Sequence, residues 1–275
     1  IVETARRELI KMGYAFDSHK KIANWIIKLG NSVGKEPEKR LEWLPEEFKE
    51  TKSTTLLYLG CLPSYLTKDV ARTTYVVLKQ ANLDFMILRD EGCCGVYLYD
   101  AGMIDLAEEI FRKNAEKFEK IGIERIITPC AGCYRCFKRY YPEVLGKVDF
   151  EVYHVIEVID DLIKNGELNL KEMNIQLTYH DPCRLGRKEG LYEEPRRILK
   201  ACGVDIIEMD ENKEMGMCCG AGAGVRSIYR DLSVEVALKV LNSTQLDIVT
   251  SCPFCTFNLN YAAKKRGVSK QIRYI

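Results

Sequence analysis

Twelve cysteines in 275 residues invite redox or metal chemistry, and their spacing narrows which. Two stretches, EGCCGVY at 91–97 and GMCCGAG at 216–222, each carry neighbouring thiols followed by a glycine. Neighbouring cysteines suit a disulfide badly, because their Cα atoms lie ~3.8 Å apart across a trans peptide, below the ~4.4 Å where ordinary bridges begin. They suit a single zinc badly too, since one small ion draws its ligands from four corners. A site with several metal atoms is different: adjacent thiolates can hold neighbouring irons, or one can bridge two.

The arrangement occurs twice. One set is Cys61, the doublet Cys93 and Cys94, then Cys130 and Cys133; the other is Cys183, the doublet Cys218 and Cys219, then Cys252 and Cys255. The gaps are 31 and 35 residues in the first set and 34 and 32 in the second. The offsets agree closely (183 − 61 = 122, 218 − 93 = 125, 252 − 130 = 122), which identifies an internal duplication.

The elements that must position these stations are those of an α/β layer. Short apolar runs, TTLLYLG (54–60) and ERIITP (124–129) in the first half, NIQLTYH (174–180), VDIIEM (204–209) and LDIVTS (246–251) in the second, read as buried parallel strands. Between them lie helical stretches at 105–122, 193–203, 231–243 and 253–267, the first with apolar residues at three- and four-residue steps and a glycine stop. The expected fold is therefore two pseudo-symmetric Rossmann-like halves with mostly parallel sheets, preceded by a helical arm. The boundaries are 1–52 for the arm, 53–165 for the first half and 166–275 for the second. Each cysteine station falls just after a strand, at the carboxyl edge where sites in such sheets gather. Ile1, not Met, opens the sequence, as in a piece of a longer chain.

Composition limits the alternatives. Hydrophobic residues at 47% and charged residues at 29% describe a soluble globule with a real core. A net charge of +1 lays out no basic field for nucleic acid. No run approaches the ~18 apolar residues of a membrane span. Without a secretion signal, so many cysteines fit a reducing compartment and a metal better than a disulfide scaffold. Zinc remains a competitor through the two C-x2-C pairs, and a thiol-only redox site is a third reading. Five soft thiolates per set favour an iron–sulfur cluster of unusual shape, because the ferredoxin run is only half imitated by Cys130, Cys133 and Cys136.

Other residues are weighed beside the ten. Gly95 and Gly220 follow the doublets and are expected to let backbone N–H groups approach a cofactor; Gly222 and Gly224 extend the second turn. Helices beginning after Cys130 and Cys252 would aim their positive ends at an anionic cluster. Cys136 reads as a bystander off the Cys130–Cys133 face, and Cys202 as a small buried hydrophobe. His19 and His154 read as structural or exposed. His180, three residues before Cys183, is the candidate catalytic residue, as a proton donor or a simple turn partner. Asp181 reads as a turn cap, and Arg184 and Arg187 as solvated surface or anion contacts.

With these motifs in view, the pattern C-x31-CC-x35-C-x2-C followed by C-x34-CC-x32-C-x2-C resembles the cysteine-rich CCG domain family over residues 56–258. This is the repeat of heterodisulfide reductase catalytic subunits and of relatives in succinate, lactate, glycolate and glycerol-phosphate oxidation and in sulfate-reducer membrane complexes. The resemblance implies a noncubane 4Fe–4S cluster on each five-cysteine set, two in all. It also implies reduction of a mixed disulfide, such as that of coenzyme M and coenzyme B, to two thiols, with the substrate held between the clusters. Both sets being complete leans toward that disulfide-reducing branch. The alternative it leaves open is an electron-transfer iron–sulfur subunit of a membrane-linked dehydrogenase or respiratory complex. Implied partners are other redox subunits (a ferredoxin-like module, a flavoprotein or a membrane cytochrome) and a small disulfide, with no nucleic acid. The implied location is cytoplasmic, or peripheral at the cytoplasmic membrane through a partner subunit. The opening residues, ETARRELIKMGYAFDSHKKIANWIIKLGNSVG, resemble the helical linker that follows a ferredoxin-like module in the two-module version of the family.

Overall fold

A computed structural model describes residues 2–168 and 170–275. Two parallel sheets carry the chain. In the first half, β1 (Thr55–Leu57), β2 (Arg125–Thr128) and β3 (Glu151–His154) lie in the order β1-β2-β3, with Leu56 opposite Ile126 and Ile126 opposite Val152. In the second, β4 (Ile175–Tyr179), β5 (Val204–Ile206), β6 (Ile248–Thr250) and β7 (Ile272–Tyr274) lie in the order β5-β4-β6-β7, all parallel. The first sheet's counterpart of β5 is a single parallel bridge between Leu56 and Met86. There Leu57 N–H donates to Met86 and Met86 N–H to Thr55, and pairing goes no further. The first doublet therefore follows a bridge where a strand was expected. With that bridge counted, the two halves share one strand order, as the duplication requires.

The helices close where their sequences say they must. Ile104–Ile121 buries Ala107, Phe111, Asn114 and Phe118, one stripe at 3.6-residue spacing, and ends at Gly122 in the left-handed region. Val155–Lys164 starts at a capping box: His154 Nδ1 accepts the Ile156 N–H while Glu157 accepts the His154 N–H. Among the described residues no helix is long and apolar enough to cross a membrane.

The arm packs into the fold. Val2–Lys11 buries nothing of its own, but Asp17–Leu29 buries His19, Ala23 and Ile26, and Trp43 is wholly inside. Ala23, Ile26 and Trp43 belong to the core that runs through both halves to Leu259 and Ile272. Further ties join the halves: Arg184 to Asp100, Arg135 and Arg139 to the buried Glu189 carboxylate, Arg197 to Asp160, and the Tyr274 hydroxyl to the Pro129 carbonyl at 2.6 Å.

Candidate metal centre

The ten cysteines stand in loops that follow a strand or the Met86 bridge, or in the first turns of the helices those loops open. Cys61 opens the Cys61–Tyr65 helix; Cys130 and Cys252 cap the Ala131–Arg135 and Pro253–Arg266 helices, which also present Cys133 and Cys255. Before Cys61, Gly60 adopts φ 80°, ψ 177°, a region essentially reserved for glycine. A Cβ there would stand 2.8 Å from the Cys133 sulfur. Cysteine spacing gives no sign of this close approach.

The ten sulfurs are brought together. They line one cavity of about 250 Å³ between the halves. Neighbouring thiols influence one another through the first set in the order Cys61, Cys93, Cys94, Cys133, Cys130, with Cys136 beside Cys94. The second set repeats that order as Cys183, Cys218, Cys219, Cys255, Cys252. All are free thiols, and the first five are buried while Cys183 and Cys218 are half-buried. Shared protons polarise the rows. The bond to Cys93, then burial, pushes Cys61 well up; bonds to Cys219 and Cys252 do the same for Cys255; bonds from Cys183 and Cys219 hold Cys218 far down. Metal loading must therefore displace protons.

The donor set fits a multi-metal group better than one ion. Four sulfurs around a tetrahedral zinc lie ~3.8 Å from one another. Among the described residues the single trio of ligand atoms within 4.8 Å of one another is His180 with Cys219 and Cys255. No three described cysteines of either row converge so tightly, which leaves room for several metal atoms rather than one ion.

Backbone donors meet the sulfurs. Gly95 N–H points to Cys93 Sγ at 3.5 Å and Gly220 N–H to Cys218 Sγ at 3.4 Å. Their missing Cβ atoms serve packing, since a side chain would strike Phe111 or the Ser233 carbonyl at 2.7 Å. The arm adds Ser32 N–H to Cys61 Sγ at 3.5 Å. It also supplies Arg40, buried against Glu91 at 2.8 Å; Glu91 accepts the Leu59 and Gly60 N–H groups while Arg40 donates to the Gly92 carbonyl. This pair clamps the loop before Cys61 to the loop before Cys93. In the second half Asp181 is no mere turn cap: it takes both Arg196 Nη groups and the Lys213 N–H, each at 2.9 Å. Neither clamp carries a cysteine signal, so spacing could not find them.

Cys136 has a definite place. Its duplicate is Asn258 (136 + 122 = 258), and the two side chains donate to equivalent carbonyls, Cys136 Sγ to Cys94 at 3.3 Å and Asn258 Nδ2 to Cys219 at 2.6 Å. Cys202 ends the Glu193–Ala201 helix against the smaller core, half-buried and away from the cavity. His19 and His154 are buried. His180 is buried at the second site, its Nε2 without a partner among the described residues, while its duplicate Tyr58 (58 + 122 = 180) donates to the Gly92 carbonyl at 3.2 Å. Arg184 is half-buried and pairs with Asp100 at the cavity wall, whereas Arg187 is exposed, as expected, and donates to the Gly216 carbonyl.

The family comparison bears directly on this doubled site. The cysteine-rich domain family matches twice, at residues 55–138 and 177–260, so each match covers one complete row of sulfurs. The chain belongs to the cysteine-rich (CCG) domain family. As a CCG protein it is 37% identical over 270 residues to a subunit of the dihydromethanophenazine:CoB–CoM heterodisulfide reductase of Methanosarcina mazei, covering 94% of this chain and 66% of that one. It is 36% identical over 227 residues to the EtfAB:quinone oxidoreductase of Syntrophomonas wolfei, covering 77% and 31%. To a subunit of the fumarate reductase (CoM/CoB) of Methanothermobacter marburgensis it is 30% identical over 257 residues, covering 92% and 50%. The CCG chain thus spans about two thirds of the length of the heterodisulfide reductase subunit and less of the others. Among solved structures, a hypothetical protein from Helicobacter pylori shares its fold at a TM-score of 0.59 with 11% identity, covering 93% of this chain and 55% of that one.

Proposed function

We propose that this chain is the disulfide-reducing part of an iron–sulfur oxidoreductase, with a noncubane 4Fe–4S cluster on each five-cysteine row. The observation that carries the reading is the pair of identically ordered sulfur rows facing one cavity. When bound, such clusters supply electrons one at a time, two sites matching the two electrons a disulfide needs. Cys61, Cys93, Cys94, Cys130 and Cys133 would hold one and Cys183, Cys218, Cys219, Cys252 and Cys255 the other.

The chain's own residues do the rest. Gly95 and Gly220 N–H groups steady sulfur charge. His180 holds a proton beside Cys219 and Cys255, and burial lowers its pKa to about 4, so the ring is neutral near pH 7. Apolar Ile22, Val33, Leu62 and Val96 keep water from one wall of the cavity. The heterodisulfide reductase relatives favour a mixed disulfide such as that of coenzymes M and B. Redox partner subunits belong to the same reading, as does a cytoplasmic chain that meets a membrane only through such a subunit. The EtfAB:quinone oxidoreductase relative favours a second reading, in which the sites relay electrons and no disulfide is cleaved.

Anaerobic reconstitution is expected to give about eight irons and eight sulfides per chain, and reduced viologen dye is expected to turn over the mixed disulfide. One zinc per row sinks the cluster assignment. Full iron with no disulfide turnover leaves the relay reading standing instead.

A further inference from the structure

We propose that the two sites are electrically unequal: the second-half group has the higher reduction potential, because Arg226 and Arg230 line its side of the cavity without an acid partner among the described residues, and the neutral His180 ring faces two of its sulfurs. The proposal rests on the iron–sulfur reading above and concerns where an electron shared by the two sites resides. Passing it from the first-half group to the second oxidises the one and reduces the other, with no proton or further reactant needed.

Arg226 and Arg230 both line the cavity. Arg226 is half-buried, lies over the Tyr261 ring at 4.2 Å, and donates to Asn258 Oδ1 at 2.6 Å. Asn258 in turn donates to the Cys219 carbonyl, so the guanidinium is one side chain removed from the doublet. Among the described residues neither arginine makes an ion pair. Burial lowers the Arg226 pKa and the Arg230 charge lowers it further, as for two cations left facing one another. A more negative, reduced group nearby relieves both.

The first half has no such excess. Arg40 is cancelled by the buried Glu91, and Arg184 by Asp100. The position equivalent to Arg226 is Ala101 (226 − 125 = 101). At the His180 position stands Tyr58, whose hydroxyl is already bonded to the Gly92 carbonyl, whereas the His180 ring reaches two ligand sulfurs with Nε2 unpartnered. Solvent acts in the same sense, for Cys183 and Cys218 are half-buried while all five first-half thiols are buried. One contact opposes the order, the Ser32 N–H on Cys61. A single amide dipole is weaker than an uncancelled guanidinium.

The test is a potentiometric titration of the reconstituted full chain, followed by electron paramagnetic resonance and Mössbauer spectra. Two one-electron transitions are expected. Arg226→Gln shifts the higher one downward and leaves the lower one in place, while Arg226→Lys keeps both near their original positions. Arg230→Gln, at an exposed residue that folding does not need, gives a smaller downward shift of the same transition. If Arg226→Gln and Arg230→Gln leave the higher transition unmoved, or move the lower one, the ordering is wrong. A chain that takes up no iron overturns the ordering and the cluster reading together; intact iron with unmoved potentials overturns the ordering alone.

Discussion

A thiol is a metal ligand only if its neighbours aim it at the metal. Cys133 and Cys136 stand three residues apart on one stretch, yet their sulfurs do different things. Cys133 lies in the row between Cys94 and Cys130, while Cys136, whose thiol also neighbours Cys94, clips the Cys94 carbonyl as Asn258 clips the Cys219 carbonyl. The duplication itself therefore supplies the experiment. Cys136→Asn is expected to keep the full iron content of the reconstituted protein and to change its unfolding free energy by only about 1 kcal/mol, the worth of one buried hydrogen bond. Cys133→Ser is expected to lose iron from the first half. Equal iron loss in both variants would make Cys136 a sixth ligand.

Among the elements, the Val155–Lys164 helix shows how a terminus is fixed at the site's edge. His154 ends β3, caps the helix through Nδ1, and packs edge-on against Tyr134 one residue after Cys133. Burial lowers its pKa to about 3. Between about 6.5 and that value the unfolded chain binds a proton that the folded chain refuses, so stability is full above this window and falls as pH drops through it. The slope can reach ~1.4 kcal/mol per pH unit for one group. His154→Asn keeps an N-cap acceptor and removes the titration. Denaturant melts from pH 7 to pH 4 should show a shallower loss of stability in the variant. An unchanged slope would mean that His154 takes its proton within the fold.

At the scale of the whole molecule, the arm and both halves share one core and one cavity. Arg6 of the arm donates to the Asp100 and Ala223 carbonyls, each 2.8 Å away and each on a different half. Both tryptophans, Trp25 and Trp43, lie in the arm, so their fluorescence reports the arm while far-ultraviolet dichroism reports the sheets and helices of both halves. One cooperative unit requires the two signals to share a single midpoint in guanidinium. A fluorescence transition that precedes the dichroism transition would restore the arm as a separate linker.

The amino-acid sequence alone determined the duplication, the two five-cysteine rows and the strand–helix alternation, because each is a matter of residue type and spacing along one chain. It also placed the cysteine stations at the strand ends, since parallel sheets put their loops at one edge, except that the first doublet follows a lone bridge. What it left undecided depends on contacts between distant residues. The Arg40–Glu91 clamp joins residues 51 apart in sequence, and the Arg184–Asp100 pair joins residues 84 apart. Cys136 became a clip and His180 a neighbour of two sulfurs only once loops from separate helices had met. Spacing fixes which atoms can reach a metal; packing of the halves decides which charges surround it.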